Sequence, residues 1–205
     1  MNKIKIAALV ALAAVFSFAQ EDEGLKLGLR AGYNFHIFAD NNGNQVGGPD
    51  NEPFSIGWLG FGLGLTVNIP LTSFLDINPE LGLGYRKFPV INVNDFEAGI
   101  TEFVLNIPVL FQIHPFGDHH YITAGVQLDI PFSSEVYIKE DGQEETEKYD
   151  DRAGLDFGIV IGYGYLLNSN IKLDVRIARY FTKLGDKDID DGHLEQGSIG
   201  LIYFF

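Results

Sequence analysis

From Leu25 to Phe205 the chain alternates apolar and polar residues in about eight stretches, each closed by a turn. The last stretch, 197–205, sets Ile199, Leu201, Tyr203 and Phe205 on one face and ends the chain on an aromatic residue. Period-two alternation makes a sheet with one apolar and one polar side. A bilayer offers no water to backbone N–H and C=O groups, so strands cross it only as a closed barrel, with the apolar side facing lipid. The alternation predicts strands over 25–38, 56–69, 75–87, 101–113, 121–132, 154–166, 171–182 and 197–205. Leu63, Ile107, Val126 and Ile161 fall on the apolar side, and Arg30, Glu80 and Asp174 on the other. The expected fold is all-β: an eight-stranded antiparallel up-and-down transmembrane β-barrel.

The connections support this reading independently. Those at 39–54, 88–100, 133–153 and 183–193 are long and polar, whereas those at 70–74, 114–120 and 166–170 are short. Outer-membrane barrels have long outside loops, short periplasmic turns and both chain ends in the periplasm. The first residues fit that side: Lys3 and Lys5 precede an apolar run from Ile6 to Phe16, and Ser17-Phe18-Ala19 is a small-x-small cleavage site. Residues 1–19 are therefore expected to be a signal peptide and 20–205 the barrel domain, exported to the outer membrane of a Gram-negative bacterium. A soluble lipocalin-like barrel is the structural alternative, with its apolar face turned into the lumen. Glycines on the polar side, as in Gly60, Gly62, Gly64, Gly82 and Gly84, favour a crowded interior there instead.

Leu75–Arg86 (LDINPELGLGYR) and Phe103–Gln112 (FVLNIPVLFQ) resemble the paired "PELLY … EIPLL" strands of the PorT-like, porin-family outer-membrane β-barrel proteins. The resemblance implies a barrel and no particular activity. It also implies that Pro79 and Pro108 are tolerated inside strands, at bulges. Asn106 stands where that family commonly carries an acid.

On the same assignment Lys26, Arg30, Arg86, Lys172 and Arg176 face inward together with Asp76, Glu80, Glu102, Asp129, Asp156 and Asp174. An eight-stranded barrel has room inside only for side chains. Buried charges persist when paired, so the near balance predicts a packed ionic network. Aromatic girdles are expected from Phe111, Tyr163, Tyr165, Tyr203 and Phe205 at one rim, and from Phe35, Phe103, Phe132, Phe157 and Phe181 toward the other.

Three further groups of residues suggest chemistry. Asp186, Asp188 and Asp190 loosely resemble the start of a calcium loop, but glycine falls one place late and the twelfth position is Gly197 rather than Glu. His114, His119 and His120 surround one turn with Asp118, and are read as a polar turn rather than a metal site. His36 beside Glu102 or Asp156 resembles an acid/base set at a barrel rim, yet no serine is expected next to them. No enzyme activity, cofactor or metal is expected.

Without Lys3 and Lys5 the chain keeps 12 of its 14 basic residues against 28 acidic ones, about −16, which argues against nucleic acid as a partner. The expected partners are outer-membrane lipid, lipopolysaccharide and, through the C-terminal strand, the barrel-assembly machinery. The expected role is a scaffold with a filled lumen that presents acidic extracellular loops for surface interaction. A narrow channel for small solutes or protons is the alternative, and a rim-located hydrolase a third reading.

Overall fold

The structure, a computed structural model, describes residues 24–40, 59–93, 96–115, 117, 119–140, 143–148, 154–181 and 192–205. The signal segment 1–19, the start of the domain at 20, and Asp186, Asp188 and Asp190 lie outside the described residues.

Nine strands follow one another: β1 (Lys26–Asp40), β2 (Leu59–Pro70), β3 (Leu75–Val93), β4 (Phe96–Ile113), β5 (His120–Glu140), β6 (Gln143–Lys148), β7 (Asp156–Leu166), β8 (Ile171–Tyr180) and β9 (Gly192–Phe204). All pairings are antiparallel, and β1 also pairs with β9 from Gly28↔Phe204 to Asp40↔Gly192. That last pairing closes eight strands into a ring, to which β6 is attached only through the outer part of β5. The ladder that leaves β1 beside Lys26 passes Ile69, Ile77, Phe111, Ala124, Ile161, Ile177 and Gly197 and returns to β1 at Phe35. The offset is a shear of about ten residues, so the strands are strongly tilted.

Two stretches read as loops are strands. β3 and β4 continue to Val93 and from Phe96, so 88–100 is largely a hairpin extension. Likewise β5 runs on to Glu140 and β6 returns over Gln143–Lys148 within the expected loop 133–153. Outside a bilayer both faces of a strand can be polar, so period-two patterning gives no signal there.

The prolines also differ from expectation, because neither sits at a bulge. Register is the same on both sides of Pro79 and Pro108, and the shifts fall at Pro89/Ile91 and Phe103/Val104 instead. Each proline lacks an N–H and leaves a gap in one ladder: β2–β3 pairing is interrupted between Thr66↔Glu80 and Ile69↔Ile77, and β3–β4 pairing between Pro79↔Val109 and Gly82↔Asn106. Asn78 Nδ2 fills part of the first gap by donating to the Val67 carbonyl at 2.9 Å.

The two faces are sharply different. Leu63 is 60% exposed and Ile161 57%, and Phe61, Leu83, Val126, Ile159, Val175, Ile177, Ile199 and Leu201 share their side. Ile107 is half-buried on that side. Opposite them Glu80, Glu102, Asp129, Asp156 and Asp174 are buried, and Arg30 keeps only 13% of its side chain accessible. A lipocalin-like arrangement would reverse these positions, so the exposed apolar band requires lipid.

Glycines make room for large inward side chains. A Cβ on Gly164 would collide with the Tyr121 ring, and one on Gly28 would lie 2.9 Å from the Phe204 ring. On the lipid side Phe35 covers Gly197 in the same manner.

Placing a charge on the band tests its contact with lipid. Ile161→Arg, midway along β7, is expected to destabilise the barrel by about 2–4 kcal/mol in denaturant titrations with vesicles, as for a cation at the bilayer midplane. A change within about 0.5 kcal/mol, usual for a surface site in water, would contradict the assignment.

Candidate functional site

The lumen holds the densest group of ionisable side chains among the described residues, and β8 is its spine. Lys172, Asp174, Arg176, Ala178 and Tyr180 point inward in succession from the short-turn end toward the long-loop end. Lys172, Arg176 and Tyr180 enter successive layers.

In the middle layer Arg176 grips Glu80 through two parallel bonds, Nη1 to Oε2 at 2.9 Å and Nη2 to Oε1 at 2.8 Å. Its Nη2 is also 2.6 Å from Asp174 Oδ2. Arg30 donates to the other Asp174 oxygen at 2.9 Å and to Ser198 Oγ at 3.4 Å. Two guanidiniums thus share two carboxylates, a forked geometry that offsets much of the desolvation cost. Gly32, Gly162 and Gly200 leave space for the two arginines.

The outer layer centres on Arg86, which is fully buried. Its Nε donates to Glu102 at 2.7 Å, Nη1 to Asp129 at 3.3 Å and Nη2 to Asp156. Asp129 receives three more donors: Asn106 at 2.7 Å, Gln127 at 2.9 Å and the Tyr180 hydroxyl at 2.7 Å. These saturate a carboxylate's lone pairs. Asn106 acts here as a donor, which an acid in its place could not do while ionised. Leu110, Val160, Ala178, Tyr180 and Leu194 pack together as an apolar cluster inside the same cylinder. Its residues share a face with the charges and were not anticipated.

Three charges stand apart from the network expected to include them. Lys26 is exposed at the short-turn mouth, with Nζ 3.4 Å from the Ser169 carbonyl. Asp76 is bonded to Asn68 and to His114. Lys172 is buried, yet it donates to the amide oxygens of Asn68 and Gln112 rather than to a carboxylate.

The aromatic residues named for the girdles lie on the lipid side: Phe103, Phe111, Phe132, Phe157, Tyr163, Tyr165, Phe181, Tyr203 and Phe205 are exposed and Phe35 is half-buried. Phe61 and Tyr85 extend the outer row, with ring centroids 5.3 Å apart and Tyr85 5.3 Å from Phe103. Both are the aromatic apolar-side residues nearest the outer end of their expected strands, a signal available in the sequence.

The histidines do not converge. His114 Nε2 is 3.1 Å from Asp76, His119 stacks on Tyr165, and His120 bonds the Tyr163 hydroxyl. Asp118 lies outside the described residues, and among those described no cluster suits a metal. His36 is buried with Nε2 3.3 Å from Gln196. A serine does stand beside the acids, against expectation. The bulge at Phe132 turns Ser134 inward, and its hydroxyl donates to Glu102 at 3.1 Å. Glu102 is at the same time held by Arg86, whose Nε donates to it at 2.7 Å.

Removing the cation shared by three carboxylates tests the outer layer. Arg86→Met is expected to lower barrel stability by about 3–5 kcal/mol, the range for breaking a buried pair. Adding Glu102→Gln and Asp156→Asn should restore part of the loss in the same denaturant titration. A loss below about 1 kcal/mol for Arg86→Met would show that the cluster is solvated.

Several solved structures share this architecture. Neisserial surface protein A aligns with a TM-score of 0.54 at 11% identity, over 89% of this chain and all of that one. Ail, the attachment invasion locus protein of Yersinia pestis, gives 0.51 at 13% identity, over 90% of this chain and all of its own. A major outer membrane protein from Thermus thermophilus gives 0.51 at 14% identity, over 88% of this chain and 99% of its own. At these identities the likeness concerns the fold. No curated protein matches the sequence. Residues 18–184 match the outer membrane protein beta-barrel domain, which covers most of the chain. The protein therefore belongs to the outer membrane protein beta-barrel domain family and is an outer-membrane protein.

Proposed function

We propose that the protein is a rigid membrane-embedded scaffold that acts at its outer end, through surface contact or envelope integrity, and not as an enzyme. The observation that carries this reading is the filled lumen. Between the ionic layers the cavity lined by Arg30, Asn34, Glu80 and Gln196 has only about 40 Å³, room for one or a few waters. Solute passage would require the Arg176–Glu80 fork and the Arg86 cluster to break.

The outer end is built to present side chains. β3 to β6 form a continuous sheet that runs beyond the ring, held by Tyr137 donating to Glu97 at 2.8 Å and by Lys87 at 3.2 Å from Glu144. Lys87 also lies over the Tyr137 ring, 3.9 Å from its centroid. Glu135, Glu140, Glu144, Glu145 and Glu147 are exposed on it, which supports acidic extracellular elements. Two of the solved relatives are by name a surface protein and an attachment protein. The reading includes export by residues 1–19, the PorT-like branch suggested by Leu75–Arg86 and Phe103–Gln112, and delivery by the barrel-assembly machinery through β9. It also includes lipopolysaccharide at the outer rim, where Arg179, 3.9 Å from Glu195, is an exposed cation on the lipid side.

In planar bilayers the purified barrel is expected to show no steady single-channel openings. A reproducible unit conductance would replace the scaffold by a narrow channel. Turnover of a lipid or ester substrate that His36→Ala abolishes would replace it by a rim hydrolase.

A further inference from the structure

The short-turn end of the barrel opens into a cup of about 330 Å³. Lys26 stands at its mouth and Lys172 at its base, and Asp76 and His114 share the lining. Lys172 Nζ donates to Asn68 Oδ1 at 3.0 Å and to Gln112 Oε1 at 2.9 Å. The rings of Tyr121 and Phe204 flank it at 4.9 and 5.1 Å.

Among the described residues no carboxylate is within ion-pairing distance of either lysine. Asp76 is turned to Asn68 and His114 instead. The other deeply buried cations behave differently: Arg86 holds three carboxylates and Arg176 two. An ammonium has three donors, and Lys172 uses two of them on neutral amides. Neutral acceptors leave a buried charge only partly compensated. In the same lining His114 Nδ1 is buried with no partner among the described residues. With His114 neutral, two ammonium groups against one carboxylate leave the cup a single positive charge in excess.

We propose that this cup binds a small monoanionic solute bearing a carboxylate, taken up from the periplasmic side. The carboxylate accepts from Lys172 Nζ, and Lys26 draws it to the mouth. The volume exceeds that of acetate several times over, so a solute of amino-acid size fits. The layer above, where Arg176 grips Glu80, closes the cup and makes it a terminal site rather than the entrance of a pore.

The test uses the full barrel in zwitterionic nanodiscs at constant ionic strength, with acetate as the probe and the side-chain amides of Asn68 and Gln112 followed by NMR. Acetate should shift both resonances saturably, and Lys172→Gln should abolish saturation. Should Lys172→Gln fail to fold, Lys26→Glu at the exposed mouth serves instead and should raise the apparent Kd at least tenfold. A linear response, or an equal response to chloride, would mean solvent and screening alone and would overturn the proposal. Tighter binding of inorganic phosphate than of acetate would overturn the assignment to a carboxylate monoanion.

Discussion

Backbone pairing is the constraint on which everything else in this molecule depends. In hydrocarbon an unpaired N–H or C=O costs several kcal/mol, and a sheet edge exposes a whole row of them. The β1–β9 ladder removes that edge by joining the first strand to the last across thirteen residue pairs. The same constraint explains why Asn78 lends its side-chain amide to the Val67 carbonyl opposite Pro79. It also explains the locations of the polar strand extensions and of β6, which stand beyond the ring where water can satisfy their outer edges.

Closure with a shear of about ten residues sets a narrow interior, and the remaining architecture is a solution to filling it. Glycines on the inner face let Tyr121, Phe204 and the arginines lie across neighbouring strands. Long charged side chains span the remaining width and find partners on the far wall, as Arg176 on β8 finds Glu80 on β3. In so narrow a cylinder each ionic layer doubles as a plug. Burying the charges and blocking the lumen are one and the same arrangement, which is why the hairpin extensions and the cup at the short-turn end carry the functional readings.

Much of this was legible in the sequence because an eight-stranded barrel imposes strict period two wherever strand meets lipid. Leu63, Val126 and Ile161 showed their side by parity alone, as did Glu80 and Asp174 theirs. Parity gives a face but no depth. Lys172 and Arg176 share β8's inner face, yet one meets amides and the other carboxylates, because the stagger between distant strands decides which side chains share a layer. Ser134 was missed for a related reason: the bulge at Phe132 shifts the register and no local residue pattern announced it. The stretch Glu135–Glu147 reads as loop because most of its side chains are exposed and polar, so no apolar face marks its strands. Leu110 and Val160 point inward but are flanked by apolar residues that point outward, so the alternation falls silent where the inner apolar cluster forms.

The most direct test of the account is a scan of solvent and lipid accessibility along β7. The chain has no cysteine, so single cysteines at 157, 159, 160, 161 and 163 can carry spin labels without background. Collision rates with oxygen and with a water-soluble nickel complex should alternate residue by residue in vesicles. Phe157, Ile159, Ile161 and Tyr163 should favour oxygen from the lipid, while Val160 between them should be shielded from both. Nickel access at the odd positions, or loss of the two-residue period, would show that the apolar side does not face a membrane.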